Sequence, residues 1–298
     1  EGLTVDVGSG RFIFLVDGVD EAVASGESLS GIARALEQLP RWGAVLATCR
    51  TREFEDSLVG RVSLDAFGRL VALEEWSLDG DFTEYVERLV GAGLLADRGL
   101  LHVVRDSAPL QDLVRRPLFA RMLTYVYASQ SAEIDDLPSL YSSYLRHLAR
   151  SVDERLDHTG CSGGPNAYAL WQRLSWRLFA DRAFHQELVP AAEPIQTLVV
   201  GAGLTPRCAQ TVVHGLLDVG QYGSQLRARY RHYSFFEFLV ADHVATSLVD
   251  RAMRGERAVW DLLALDLPRE MRRHLSRIVT RAGPRVVIDA LIAQFENL

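Results

Sequence analysis

Residues Arg11–Ala22 read RFIFLVDGVDEA. Five apolar residues, Phe12–Val16, run straight into a group of acids, Asp17, Asp20 and Glu21. A short unbroken apolar run suits a strand buried on both faces of a parallel sheet. Three explanations compete for the acids. An Asp-Gly hairpin turn is the first, but the VDEAVASGES that follows does not alternate as a return strand would. A calcium loop is the second, and its fixed ligand spacing around a central Gly is absent. The third is the tip of a central parallel strand. Open α/β sheets bind ligands beyond the carboxyl ends of their strands, and an Asp there can hold Mg2+ against a phosphate.

The surrounding pattern favours the third. Ser28–Leu39 predicts a helix, with Leu29, Ile32, Ala33, Leu36 and Leu39 on one stripe and Pro40 as its stop. GAVLATCR, Gly43–Arg50, reads as a second buried strand. Strand, helix, strand is a βαβ unit, the crossover that parallel neighbours need. A weaker strand is expected at Leu70–Leu73. From Asp79 onward the periodicity is helical, with segments at 82–90, 112–127, 140–156, 169–179, 193–202 and 210–217, another opening at Ser234, and a tail over 257–295 broken at Gly283–Pro284. His158–Asn166, HTGCSGGPN, reads as a linker. The fold class expected is α/β followed by all-α, mostly helical.

The totals narrow the possibilities. The 298 residues are 48% hydrophobic and 24% charged, a globular composition. No apolar run of about 18 residues suggests a membrane span. Three Cys without paired spacing argue against a disulfide framework and for a reduced, cytoplasmic setting. The net charge of -7 argues against nucleic acid as a partner. All 32 Lys+Arg are Arg.

FIFLVDGVDEA resembles the extended Walker B of NACHT-family nucleotide-binding proteins, members of the STAND class of signal-transduction P-loop NTPases. The resemblance implies that Asp17 handles Mg2+ and that Asp20 and Glu21 serve hydrolysis. TCR, Thr48–Arg50, resembles the Thr-Ser-Arg of that family's sensor strand, with Cys49 in place of a small polar residue. It implies nucleotide contacts for Thr48 and Arg50, the latter near the γ-phosphate, where a guanidinium can donate two bonds to phosphate oxygens. RRPLFARML, Arg115–Leu123, is on its own a Pro opening an apolar helix. It resembles the Asn-Pro-Leu helix of the first NACHT helical domain, which implies Pro117 near the adenine, with Arg116 where Asn is often seen.

YRHYSFFEFLVADH, Tyr230–His243, reads locally as a Ser234–Glu237 capping box opening a helix. It is also similar to the Phe-x-His-x-Ser-Phe-x-Glu-Phe signature that ends the NACHT winged-helix domain. Tyr230 takes the leading aromatic place and Phe236 replaces a common Gln. The match implies that His232 contacts the β-phosphate of ADP in a closed state.

The resemblance spans Arg11 to about Leu248. It implies the distal part of a nucleotide-binding α/β domain over 1–78, a helical domain over 79–157, a winged-helix domain over 166–249 and the start of a further helical domain over 250–298. It further implies ATP/ADP and Mg2+ as cofactors, a switch in bacterial signalling or antiviral defence, self-oligomerisation on activation, and effector and sensor domains outside this segment. The phosphate loop G-x-x-x-x-G-K-[ST] is absent, because the chain has no Lys. A fragment starting just before Walker B is therefore expected, with ATPase activity confined to a longer polypeptide. Two rivals stand beside it. One is a STAND-type transcription regulator, which Arg227, Arg229 and Arg231 permit and the net charge opposes. The other is a degenerate pseudo-NTPase acting as a protein scaffold.

Two further motif matches fail on context. GAGLLA, Gly91–Ala96, follows a helix and not the strand a dinucleotide fingerprint needs. GCSGG, Gly160–Gly164, follows a charged helix, unlike a nucleophile elbow.

Overall fold

The computed structural model describes residues 12–16, 19, 29–41, 43–49, 71, 73–129, 134–161, 165–181, 189–222, 225–254, 265–282, 285 and 288. The chain forms two compact units, Glu1–Glu74 with His185–Glu187, and Glu75–Phe184 with Leu188–Leu298. Helices dominate, with one small parallel and one small antiparallel sheet.

In the first unit, β1 (Phe12–Val16) and β2 (Gly43–Ala47) pair in parallel, from Phe12 opposite Gly43 to Val16 opposite Ala47. α1 (Leu29–Gln38) makes the crossover and gives way to a 3-10 turn at Leu39–Arg41. Val19, Ala33 and Leu36 are buried together, with Val16, Ile32, Ala47 and Cys49 packed against them. The opposite face is apolar and bare, with Ile13 and Leu15 each 73% exposed. β2 stops at Ala47, short of the expected Arg50, which lies outside the described residues. The weak strand expected at Leu70–Leu73 is not formed at Val71 or Leu73. Both are exposed and have no ladder partner among the described residues; Leu70 and Ala72 lie outside them.

The second unit begins with a π-helical turn, Leu78–Phe82, which runs into α2 (Thr83–Gly91). α2 ends through Ala92 and Gly93, whose φ of 71° is the left-handed conformation that glycine tolerates. α3 (Gly99–Arg105), α4 (Ala108–Val114) and α5 (Pro117–Ala128) follow. The single helix expected over 112–127 is thus two. Pro117 disfavours helical backbone at the residue before it, and Arg116 is extended, with φ -105° and ψ 119°. α6 (Leu137–His158) opens on a capping box in which Asp136 and Ser139 bond each other's backbone N–H. His158 belongs to this helix and not to the linker.

α7 (Ala167–Ala180), capped by Asn166, precedes β3 (Val189–Pro190), α8 (Ala192–Ala202), α9 (Pro206–Leu216), β4 (Leu217–Tyr222) and β5 (Gln225–Tyr230). The strands form an antiparallel sheet in the order β3-β5-β4. α10 (Tyr233–Met253) and α11 (Arg269–Ala282) complete the described part. One apolar cluster runs through this unit from Phe82 to Met271. At its centre the indole Nε1 of Trp171 donates to Val212 O at 2.9 Å, both groups buried.

Cys161, just after α6, and Cys208, in α9, form a disulfide with a Cα–Cα distance of 6.2 Å. This overturns the expectation from the cysteine count. An odd number still leaves room for one pair, and a separation of 47 residues carries no local signature. The expected Ser234 cap also fails, because α10 already begins at Tyr233. No helix among the described residues is long and apolar enough to cross a membrane.

Candidate functional site

The candidate residues fall in both units. In the first, Thr48 lies just beyond β2. Its N–H donates to Val16 O at 2.9 Å, and its carbonyl accepts from Val19 N at 2.9 Å. The two residues that flank Asp17 and Gly18 are therefore both bonded to Thr48, at the carboxyl end of two adjacent parallel strands. That end is where an open α/β sheet holds ligands. Asp17, Asp20, Glu21 and Arg50 lie outside the described residues.

In the second unit, Pro117 is the first residue of α5. Arg116 before it is exposed, with its guanidinium 5.9 Å from the Phe119 ring centroid and its Nε 3.7 Å from Glu75. His232 sits in the bend between β5 and α10 and is exposed. Its Nδ1 is 2.5 Å from Ser234 Oγ, and its ring lies 5.8 Å from Phe235. Arg231 and His232 are exposed between the buried Tyr230 and the buried Phe235 and Phe236. Tyr230 is buried, with its hydroxyl 2.8 Å from Ser175 Oγ, while Phe236 is buried against both Tyr230 and Tyr233. Tyr230 and Phe236 thus anchor the bend that presents His232.

Tyr141 of α6 connects Pro117's helix to His232. Its ring meets Phe119 edge-on at 5.8 Å and Phe235 at 6.0 Å, and stacks on Phe238 at 5.2 Å. Burial pushes its phenol up to about 12, opposed by its hydrogen bond with Ser234. The phenol is therefore neutral at physiological pH. Ser234 contacts both Tyr141 and His232, so the hydroxyl that reads as a helix cap instead couples the ring to the aromatic cluster. Pro117 and His232 stand at two edges of this one cluster. Tyr141 itself carries no sequence signal, since in LYSSYLRHLA it is one more member of an apolar stripe.

No protein-family model matches the chain, and no curated protein matches it.

Proposed function

We propose that the chain is the distal part of a NACHT-type STAND NTPase, a nucleotide-dependent switch in bacterial signalling or defence. The observation that carries this reading is the Thr48 junction. It joins the end of a sensor-like strand to the residues on either side of Asp17, as a Walker B and sensor pair on neighbouring parallel strands requires. The bare apolar face of β1 and β2 also suits strands that belong to a wider sheet covered on both sides.

The order α7, β3, α8, α9, β4, β5 supports a winged-helix reading for the segment before His232. The cap-like Ser234 then acquires a role: it holds the imidazole that we assign to the β-phosphate of ADP. Pro117 offers an apolar surface suited to a base, and the Thr48 hydroxyl can donate to a phosphate oxygen. In this reading Asp17 would hold Mg2+, Asp20 and Glu21 would orient attacking water, and Arg50 would pair with developing phosphate charge. Mg-ATP supplies the phosphoryl group and the neutralising cation when bound. The chain has no Lys, so the phosphate cradle of this reading comes from polypeptide outside these 298 residues. Different affinities for ADP and ATP would shift the population between a closed and an oligomerising state.

Asp17→Ala in the natural gene product is expected to abolish Mg2+-dependent ATP turnover. Unchanged turnover contradicts the catalytic assignment.

A further inference from the structure

α8 and α9 are joined by only Gly203, Leu204 and Thr205, with Gly203 left-handed at φ 66° and Thr205 capping α9 through Cys208 N. A three-residue turn containing Gly between two helices is the connection used in a helix-turn-helix. In nucleic-acid recognition the second helix of that motif enters the major groove.

α9 is divided accordingly. Cys208, Ala209, Val212, Val213 and Leu216 are buried. Arg207, Gln210, Thr211 and His214 form the outer stripe at i, i+3, i+4 and i+7, and no residue of the helix is acidic. Arg is suited to the O6 and N7 acceptors of guanine, Gln to the adenine edge, and Thr to either. The β4–β5 hairpin adds cations. Ala228 and Tyr230 are buried, so the alternation of β5 puts Arg227 and Arg229 on the other side, while Arg231 beyond the strand pairs with Asp218 at 3.3 Å. Arg231 donates to His214 O at 3.0 Å, which ties the end of the hairpin to the end of α9.

Charge follows the same division. Residues 192–231 hold four Arg against two acids, Glu193 and Asp218, inside a chain of net charge -7. Distant charges are screened over about 10 Å at 0.1 M salt, so the local balance governs a docking surface.

We propose that α9 and the β4–β5 hairpin form a surface for double-stranded DNA, with α9 in the major groove and Arg227 and Arg229 on the phosphates. This is independent of the nucleotide-switch reading.

The test is fluorescence anisotropy of a labelled duplex of about 24 base pairs with the 298-residue chain. For the two phosphate contacts of Arg227 and Arg229, binding should weaken about 12-fold between about 50 and about 200 mM salt. Arg227→Glu and Arg229→Glu should each weaken binding about 10-fold and reduce the salt slope by about one, and Arg207→Glu should weaken it at least as much. Arg150→Glu, on exposed α6 surface, should change affinity by less than about twofold. Thermal melting confirms that each variant is folded. Absence of salt-dependent binding overturns the proposal, as do folded Arg207, Arg227 and Arg229 variants that bind like the wild type. Equal affinity for polyglutamate, lost in the same variants, also overturns it and assigns the surface to an acidic protein segment.

Discussion

The hydroxyl of Tyr168 on α7 donates to Asp242 Oδ2 on α10 at 2.5 Å, across 74 positions of sequence. Gln172 Nε2 donates to the same oxygen at 2.8 Å, and the Arg146 guanidinium of α6 lies 4.3 Å from the Tyr168 ring centroid. Burial raises the Asp242 carboxyl above its ordinary value, opposed by Tyr168, Arg146 and Gln172. This acid bonds α10 to α7, and α6 packs alongside through Arg146. Asp242→Leu strands a buried hydroxyl and an amide and should cost about 3 kcal/mol, whereas Asp242→Asn keeps an acceptor and should cost about 1 kcal/mol. Urea unfolding reads both values, and equal costs would show that the hydrogen bonds do not matter.

Gly215 of α9 faces α6 and α7. A Cβ at this position would lie 2.6 Å from Val152 Cγ2 and 2.8 Å from Trp171 Cζ2. Trp171 is held by its bond to Val212 O and cannot swing aside without losing it. Gly215→Ala is therefore destabilising by about 1–3 kcal/mol, although alanine favours helices. A melting temperature at or above that of the wild type would contradict this packing.

The Cys161–Cys208 disulfide closes a loop of 47 residues. In the chain-entropy account such a loop is worth about 4 kcal/mol. Thiol titration of the unfolded, unreduced protein should find the Cys49 thiol alone, and all three cysteines after reduction. Cys208→Ser should lower the unfolding midpoint to that of the reduced wild type. Three titratable thiols before reduction would remove the bridge from the account.

His274 of α11 is 5% exposed, between the Tyr141 and Phe238 rings, and no described group bonds its Nδ1. Burial pushes its pKa down to about 4, with Glu270 opposing and Arg277 and Arg273 assisting. The unfolded chain takes up this proton near 6.5, before the folded one does. Stability is therefore complete above pH 6.5 and declines as pH falls toward 4, by up to about 3 kcal/mol. Asp242 has the opposite sign, since its raised pKa makes protonation favour the folded state. The difference between wild type and His274→Leu isolates the histidine. That difference should change between pH 6.5 and 4 and be constant above 7, and a constant difference throughout would contradict the burial of a neutral ring.

The β1–α1–β2 unit was legible because each piece is local: an apolar run, a helical stripe with a Pro stop, and a second apolar run. Most helices were legible for the same reason. The break before Pro117 needed the steric rule for the preceding residue to outweigh an apolar periodicity that runs through it. Tyr141, Asp242 and the disulfide are not legible, since their partners lie 22 to 97 positions away and leave no spacing to read. Ser234 reads as a cap because the capping pattern is satisfied in sequence. The helix starts at Tyr233, two residues before the Phe235 that the capping box implies, and the Ser234 hydroxyl meets His232 instead.

ADP binding by the natural gene product that carries this chain, measured by titration calorimetry with Mg2+, bears most directly on the nucleotide switch. One bound ADP is expected, with His232→Ala weakening it about 10-fold, as loss of one charge-assisted phosphate contact would. Absence of ADP binding, or a His232→Ala protein that is folded and binds ADP like the wild type, would contradict it.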